Sequence, residues 1–145
     1  MWYKNAVFYE ISVRAFKDSD GDGHGDLQGL TEKLDYLQTL GVDCIWIMPI
    51  YPSPLRDDGY DIADYYSVDK TYGSLDQLKA LIEAAHQRKI RIITDLVLNH
   101  TSDQHPWFQA SRSDKNSPYR DYYVWNDDDK KYAGVRIIFQ DVEKS

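Results

Sequence analysis

The stretch "IITDLVLNHTSDQHPWF", from Ile92 to Phe108, begins as a buried strand does and ends in polar and aromatic residues. Its apolar residues predict a strand that is covered on both faces: Ile92, Ile93, Leu96, Val97 and Leu98. Asp95 interrupts this run, and Asn99 and His100 follow directly after it. In parallel α/β folds, functional side chains collect just past the carboxyl ends of the strands, so this position makes His100 a candidate site residue.

Two more strands and two helices are predicted before the end of this strand. Residues Ala6–Phe16 predict the first strand, because they are rich in β-branched and aromatic side chains. Leucines recur at helical spacing from Leu27 to Leu40, and Gly41 follows where a helix often ends in a left-handed residue. The apolar run Asp43–Met48 predicts the second strand, and Ile90–Leu98 predicts the third.

The second helix is predicted to begin at Ser74, because Gln77 lies three residues later, as in a capping box. The order β-α-β-α-β implies an α/β fold with parallel strands, right-handed crossovers and helices that cover the sheet. After Asn99 the periodicity is lost, and one further strand is predicted at Val135–Phe139. The predicted inner face of the second helix carries Leu75, Leu78, Leu81, Ile82 and Ala85.

The composition is that of a globular domain. The chain of 145 residues carries a formal net charge of −7, which argues against binding to nucleic acid or to anionic membrane surfaces. No apolar run approaches the roughly 18 residues that suggest a membrane span, and the N-terminus lacks the pattern of a secretory signal. The single cysteine, Cys44, lies in an apolar run and fits a packed thiol in a reducing compartment, so we expect a cytoplasmic protein.

The segment "DSDGDGHGD", Asp18 to Asp26, places acidic residues at alternating positions of a glycine-rich turn. Alternating carboxylates suit a hard cation that takes several oxygen ligands, and we expect calcium ahead of magnesium. Gly29 stands where a regular EF-hand has its bidentate Glu, and a solvated acidic turn is the alternative interpretation. The predicted metal ligands are Asp18, Asp20, Asp22, His24 (through its carbonyl) and Asp26.

The segment "PLRDDGYDIADYYSV", Pro54 to Val68, contains a candidate sugar-binding turn. Gly59 allows a tight turn, with Asp57 before it and Tyr60 after it. Carboxylates beside an aromatic ring suit sugar recognition, because sugar hydroxyls bond to the oxygens and the ring packs on C–H groups. The residues alone leave open a polar loop in which Tyr60 only packs.

The polar end of the opening stretch also has two interpretations. Asn99 could cap a turn and Asp95 could accept a buried hydrogen bond, as in a purely structural segment. However, His100 follows a parallel strand on the same side as the Asp57–Tyr60 turn, which favours a functional role. Three later aromatic side chains are weaker candidates: His105, Trp107 and Trp125. Trp125 is interpreted as structural, and both interpretations stay open for the other two.

Four motifs in this order and spacing resemble the N-terminal part of the α-amylase family of glycoside hydrolases: "VFYEISVRAF", "DSDGDGHGDLQGL", "DDGYDIADYYSVDKTYGS" and "DLVLNHTSDQHPWF". The resemblance covers essentially the whole chain. It implies a TIM (β/α)8 barrel with a second domain inserted after strand three. Residues 1–98 would then form the N-terminal part of the barrel, about β1-α1-β2-α2-β3, and residues 99–145 the start of the inserted domain.

The resemblance also implies roles for individual residues. Asp57, Tyr60 and His100 would bind the glucose unit whose bond is broken, with Asp95 and Asn99 as structural residues near the site. The acidic segment matches the calcium loop of the family, and no organic cofactor is implied. The Asp nucleophile and the Glu acid/base of this retaining family follow later strands, so no catalytic residue is expected in this chain.

A barrel of this kind needs about 250 residues, so we interpret the chain as an N-terminal fragment that is inactive alone. Its later motifs, "DYYVW" and "YAGVRIIFQDVE", are most similar to family members that interconvert maltose and trehalose by intramolecular glucosyl transfer. The expected ligands are maltose, trehalose and glucose. The alternatives are an α-glucosidase or amylase-type hydrolase and, for the isolated chain, a calcium-dependent carbohydrate-binding module. An unfinished barrel also predicts self-association through its exposed edge.

Overall fold

A computed structural model of the chain describes residues 1–128 and 130. Short 3₁₀ helices occur at Trp2–Lys4, Val13–Ala15 and Arg120–Tyr122. The predicted strand at Val135–Phe139 lies outside the described residues. The strands and α-helices are, in chain order, β1 (Phe8–Ile11), α1 (Leu27–Glu32), α2 (Leu34–Thr39), β2 (Cys44–Ile47), α3 (Leu75–Gln87), β3 (Arg91–Thr94) and α4 (Pro106–Ser113).

The three strands form one parallel sheet in the order β1-β2-β3, which confirms the α/β fold. Ile47 at the carboxyl end of β2 pairs with Ile11 of β1 and with Thr94 of β3. The three strands therefore end level with one another. The loops that follow them leave the sheet at a single edge.

The core lies between the sheet and the helices. The central strand β2 is almost fully buried, and Leu81 and Ala85 of α3 belong to the same buried core as its isoleucines. The predicted capping box at Ser74 is confirmed: its hydroxyl accepts a bond from the Gln77 amide, and the Gln77 side chain bonds back to the Ser74 amide. Gly41, just after the end of α2, has φ +80°, the left-handed conformation in which many helices end.

Two predicted elements are shorter than expected. The first strand ends at Ile11 and is followed by a 3₁₀ turn, where the amide of Gly25 bonds to the carbonyl of Arg14 at 2.7 Å and ties the acidic loop to the strand end. The predicted continuous first helix is divided into α1 and α2 at Lys33. The amide of Lys33 bonds three residues back to Leu30, which tightens the chain into a turn at that point.

The prediction that the third strand is buried on both faces and extends to Leu98 is wrong for the described structure. β3 ends at Thr94, and the side chains of Ile93, Leu96 and Leu98 are 38, 73 and 78% exposed. Within the described residues, β3 pairs only with β2, so its other edge has no strand beside it. Leu75, predicted on the inner face of α3, is likewise exposed, and it lies in the first turn of the helix.

The segment after residue 99 contains a helix that the sequence pattern did not predict. α4 begins at Pro106, and the ring of His105 caps it, with Nδ1 accepting a bond from the Trp107 amide at 3.1 Å. Among the described helices, none is both long and apolar enough to cross a membrane.

Candidate functional site

The acidic loop after β1 brings three carboxylates together. Oxygen atoms of Asp18, Asp20 and Asp22 lie within 4.8 Å of one another. Asp18 accepts bonds from the amides of Gly21 and Gly23, and these bonds hold the pKa of its carboxyl below the usual range. The turn thus brings several acidic oxygens close together.

The other two predicted metal ligands have different contacts. Asp26 caps α1 by accepting a bond from the Gly29 amide at 2.6 Å, and its carboxylate also accepts from the amide of Ser19 at 2.9 Å. Burial works to raise the pKa of Asp26, but these hydrogen bonds outweigh it, so the pKa is lowered. The amide of His24 bonds to the carboxylate of Asp22 at 2.7 Å. Asp26 therefore fixes the end of the loop, while the first three acidic residues converge.

The turn at Asp57–Tyr60 is organised by the carboxylate of Asp61. This carboxylate accepts bonds from the hydroxyl of Ser53 at 2.6 Å and from the amides of Arg56 at 2.9 Å and Asp57 at 3.2 Å. Burial works to raise the pKa of Asp61, but these three donors outweigh it and lower the pKa. The turn that these bonds impose includes a left-handed residue, which Gly59 supplies at φ +100°.

The side chain of Tyr60 reaches from the loop after β2 to the end of β3. Its hydroxyl donates to the carboxylate of Asp95 at 3.0 Å, and the ring is half-buried. Burial raises the pKa of Tyr60, and the neighbouring carboxylate of Asp95 raises it further. The phenol therefore stays protonated and acts as the donor in this bond.

His100 lies against the same turn. Its Nε2 is 3.2 Å from the carbonyl oxygen of Tyr60, so the Nε2–H tautomer is the one that fits this contact. The amide of Ser102 bonds to the carbonyl of Ile62 at 2.9 Å and joins the two loops a second time. The structure thus brings His100 and the Asp57–Tyr60 turn together, with Asp57, Asn99 and His100 exposed to solvent.

A cavity of about 510 Å³ lies beside this contact, in the size range of small-molecule sites. Its walls come from the residues after β3 and from aromatic side chains farther along the chain, among them Leu96, Leu98, His100, Trp107 and Tyr122. Trp107 thus lines a cavity, whereas His105 is buried and serves as a helix cap. Burial lowers the pKa of His105, and the nearby carboxylate of Asp64 offsets this only in part.

The interpretation of Trp125 as structural is confirmed. Its indole nitrogen donates to the hydroxyl of Ser111 at 2.9 Å, and the guanidinium of Arg120 lies 4.4 Å from its ring centre. Sequence reasoning missed Asp61 and Tyr65, which hold the two loops in place. Their only signal was that polar and aromatic residues are dense in this loop.

The comparisons with known proteins agree with this architecture. Residues 10–140 match the family described as alpha amylase, catalytic domain. Trehalose synthase/amylase TreS of Mycobacterium tuberculosis (strain ATCC 25618 / H37Rv) is 61% identical over 144 residues, which are 99% of this chain and 24% of that protein. Oligo-1,6-glucosidase of Heyndrickxia coagulans is 56% identical over 126 residues, which are 87% of this chain and 23% of that protein.

Solved structures are similar as well. A MutB mutant in complex with the substrate sucrose superimposes with a TM-score of 0.86 at 53% identity, over 90% of this chain and 23% of that one. The chain therefore spans about a quarter of the length of these relatives.

Proposed function

Because the chain belongs to the α-amylase family, we propose that the whole protein interconverts maltose and trehalose by intramolecular glucosyl transfer. The observation that carries this proposal is the contact between the turn after β2 and the segment after β3, where Tyr60 and His100 meet. Two loops that meet at the carboxyl ends of parallel strands form the usual place of chemistry in barrels. The similarity to a trehalose synthase over nearly the whole chain supports the choice of sugars.

In this proposal, three side chains hold the glucose unit whose bond is broken. The ring of Tyr60 would pack on the sugar face, and its bond to Asp95 would fix the ring angle. Asp57 and His100 would bond to hydroxyls, since both are exposed beside the ring. Asn99 and Asp95 would shape the segment beneath the sugar.

The reaction would follow the retaining course of the family. A carboxylate nucleophile forms a covalent glucosyl-enzyme, while a second carboxyl group acts first as acid and then as base. We assign these two groups to parts of the whole protein outside this chain. Here Tyr60, Asp57 and His100 would hold the glucosyl unit in place while the released glucose turns and attacks. Exclusion of water would decide between transfer and hydrolysis.

Hydrolysis is the second candidate function. The similarity to an oligo-1,6-glucosidase favours it, because a hydrolase could bind the glucose unit through the same residues of this chain as a transferase does. The two candidates differ in what accepts the glucosyl unit, which is a sugar in one case and water in the other.

Incubation of the full-length protein with maltose, followed by proton NMR of the products, separates the candidates. We expect trehalose to appear early and to exceed free glucose. Glucose without trehalose would replace the proposal with hydrolysis. Sugar binding without any turnover would indicate a carbohydrate-binding module instead of an enzyme.

We also propose that the acidic loop binds calcium. Three carboxylates with oxygen atoms within 4.8 Å of one another support this, because calcium takes roughly six to eight oxygen ligands. Asp18, Asp20 and Asp22 would supply side-chain oxygens and His24 its carbonyl. Asp26, which caps α1, would hold the loop closed around the ion.

For the organisation of the chain, we propose that residues 1–98 belong to the barrel and that residues 99–145 begin an inserted domain. In the described part of this second segment, a helix and a 3₁₀ turn follow β3 and no strand is added to the sheet. We further propose a cytoplasmic location, supported by the buried, unpaired thiol of Cys44. The exposed apolar residues at and after β3 support self-association of the isolated chain.

A further inference from the structure

One hydroxyl group holds two carbonyls of the segment after β3. The Tyr65 hydroxyl lies 2.8 Å from the carbonyl oxygen of Val97 and 2.8 Å from that of His100. A phenol has a single proton, so it is shared between the two carbonyls or alternates between them. In both cases one atom fixes the backbone on either side of Leu98 and Asn99.

The ring of Tyr65 is itself well supported. Its centre lies 6.1 Å from that of Tyr51 and 5.8 Å from that of the buried His105. Burial raises the pKa of Tyr65, so the hydroxyl remains a donor. A fixed ring on the loop after β2 therefore positions a donor beneath the segment that carries His100.

The segment from Asp95 to His100 has little else in the described structure to hold it. β3 ends at Thr94, so no ladder hydrogen bonds continue along it, and Leu96 and Leu98 point largely into solvent. Its position therefore depends on a few side-chain bonds: Tyr60 to Asp95, His100 to the Tyr60 carbonyl, and the two from Tyr65.

We propose that Tyr65 is a positioning residue for His100: by holding the carbonyls of Val97 and His100, it aims the imidazole at the glucosyl unit. The inference rests on the proposed function only in that His100 is taken to contact the sugar. Tyr65 contacts main-chain atoms and acts through His100, without touching the sugar. A small displacement of a sugar-binding group is costly, since a shift of about 1 Å can lower a rate about 100-fold.

The test is a double-mutant cycle in the full-length protein with Tyr65→Phe and His100→Gln. Tyr65→Phe keeps the ring and removes only the donor, and we expect kcat/KM for glucosyl transfer to fall about tenfold, as for the loss of one hydrogen bond. In the His100→Gln background the same change should lower it less than about twofold, because no imidazole remains to be aimed. A full tenfold loss in both backgrounds would overturn the inference. Tyr36→Phe, at an exposed tyrosine of α2, is the matched control.

A second measurement separates this inference from the proposed function. If the full-length protein hydrolyses maltose without making trehalose, the proposed function fails and the same cycle is measured on hydrolysis. If neither maltose nor trehalose reacts, hydrogen exchange of the peptide that covers residues 95–101 tests the positioning role of Tyr65. Faster exchange in Tyr65→Phe and not in Tyr36→Phe would support the positioning role, and unchanged exchange in both would overturn it.

Discussion

The acidic loop (Asp18 to Asp26) and the contact between the Asp57–Tyr60 turn and His100 are two candidate sites at the same edge of one sheet. The second, called here the proposed sugar-binding contact, is built in the opposite way to the first. In the acidic loop, the carboxylates accept hydrogen bonds from residues that lie at most seven positions away. In the proposed sugar-binding contact, Tyr60 and Asp95 are 35 positions apart, and Tyr60 and His100 are 40 positions apart. One site is local in sequence, and the other exists only when β2 and β3 pair in register.

This difference has an energetic consequence. The acidic loop holds its shape through its own turn and its attachment to α1, so a change in it should alter stability without moving the proposed sugar-binding residues. The other site depends on bonds between two loops, so loss of one bond should alter activity.

Removal of calcium gives the largest expected effect on stability. Chelation should lower the free energy of unfolding by about 2.7 kcal/mol if the ion is present at about 100 times its Kd. It should leave glucosyl transfer nearly unchanged at a temperature where the protein stays folded. Thermal unfolding with and without chelator, with calcium or magnesium restored, measures the first effect. A large loss of activity in the folded, metal-free protein would show that the two sites are coupled.

Asp61→Asn should have the next largest effect. Its carboxylate accepts bonds from three donors, and an amide must turn an NH₂ group towards at least one of them. The unpaired donors should cost about 2 kcal/mol, displace the Asp57–Tyr60 turn and lower kcat/KM. Asp58→Asn is the control, because that exposed residue lies in the same turn at φ +49°, which Asn tolerates. Equal activity of the two variants would contradict the role of Asp61.

Acid should weaken the same turn by a smaller amount. A carboxyl group whose pKa is lowered in the folded state stabilises it above the unfolded pKa, about 3.9. That contribution is lost as the pH falls through the folded pKa of Asp61. The loss is smaller than for Asp61→Asn, because the hydroxyl oxygen of a protonated carboxyl can still accept a hydrogen bond, whereas the amide nitrogen of Asn only donates. Hydrogen exchange of the turn, with each rate divided by the intrinsic exchange rate at that pH, should show protection that falls between about pH 5 and pH 3 in the parent protein and changes little in Asp61→Asn.

Arg56→Gln should have the smallest effect, although its partner lies in the other loop. Arg56 and Asp103 are 3.2 Å apart, but their side chains are 65 and 44% exposed. Exposed ion pairs contribute about 0.5 kcal/mol and are screened by salt. The equilibrium constant of unfolding and kcat/KM should therefore each change by about twofold or less at 0.15 M salt. A loss as large as that of Asp61→Asn would show that this pair also holds the site together.

The sequence predicted best what depends on a few neighbouring residues. The capping box at Ser74 and the left-handed Gly41 follow from local backbone requirements, and so does the convergence of acidic residues in the loop after β1. The order of strands and helices was also sufficient to place the strand ends at one edge, because parallel strands with crossovers allow little else.

The sequence did not predict contacts that depend on the path of the loops. Nothing in the spacing indicates that the Tyr65 hydroxyl lies beneath Val97 and His100, or that Asp61 bonds back to Ser53. The exposure of Leu96 and Leu98 was missed because an apolar run indicates only that burial is favourable, not which part of a protein provides it. α4 was missed because eight residues are too few to show a helical period clearly, and His105 is an unusual helix cap.

A crystal structure of the full-length protein with glucose bound tests the central claim most directly. We expect a sugar ring stacked on Tyr60, with hydroxyls bonded to the carboxylate of Asp57 and to the imidazole of His100. A glucose molecule bound in that structure away from the contact between these two loops, or held by residues of only one loop, would contradict it.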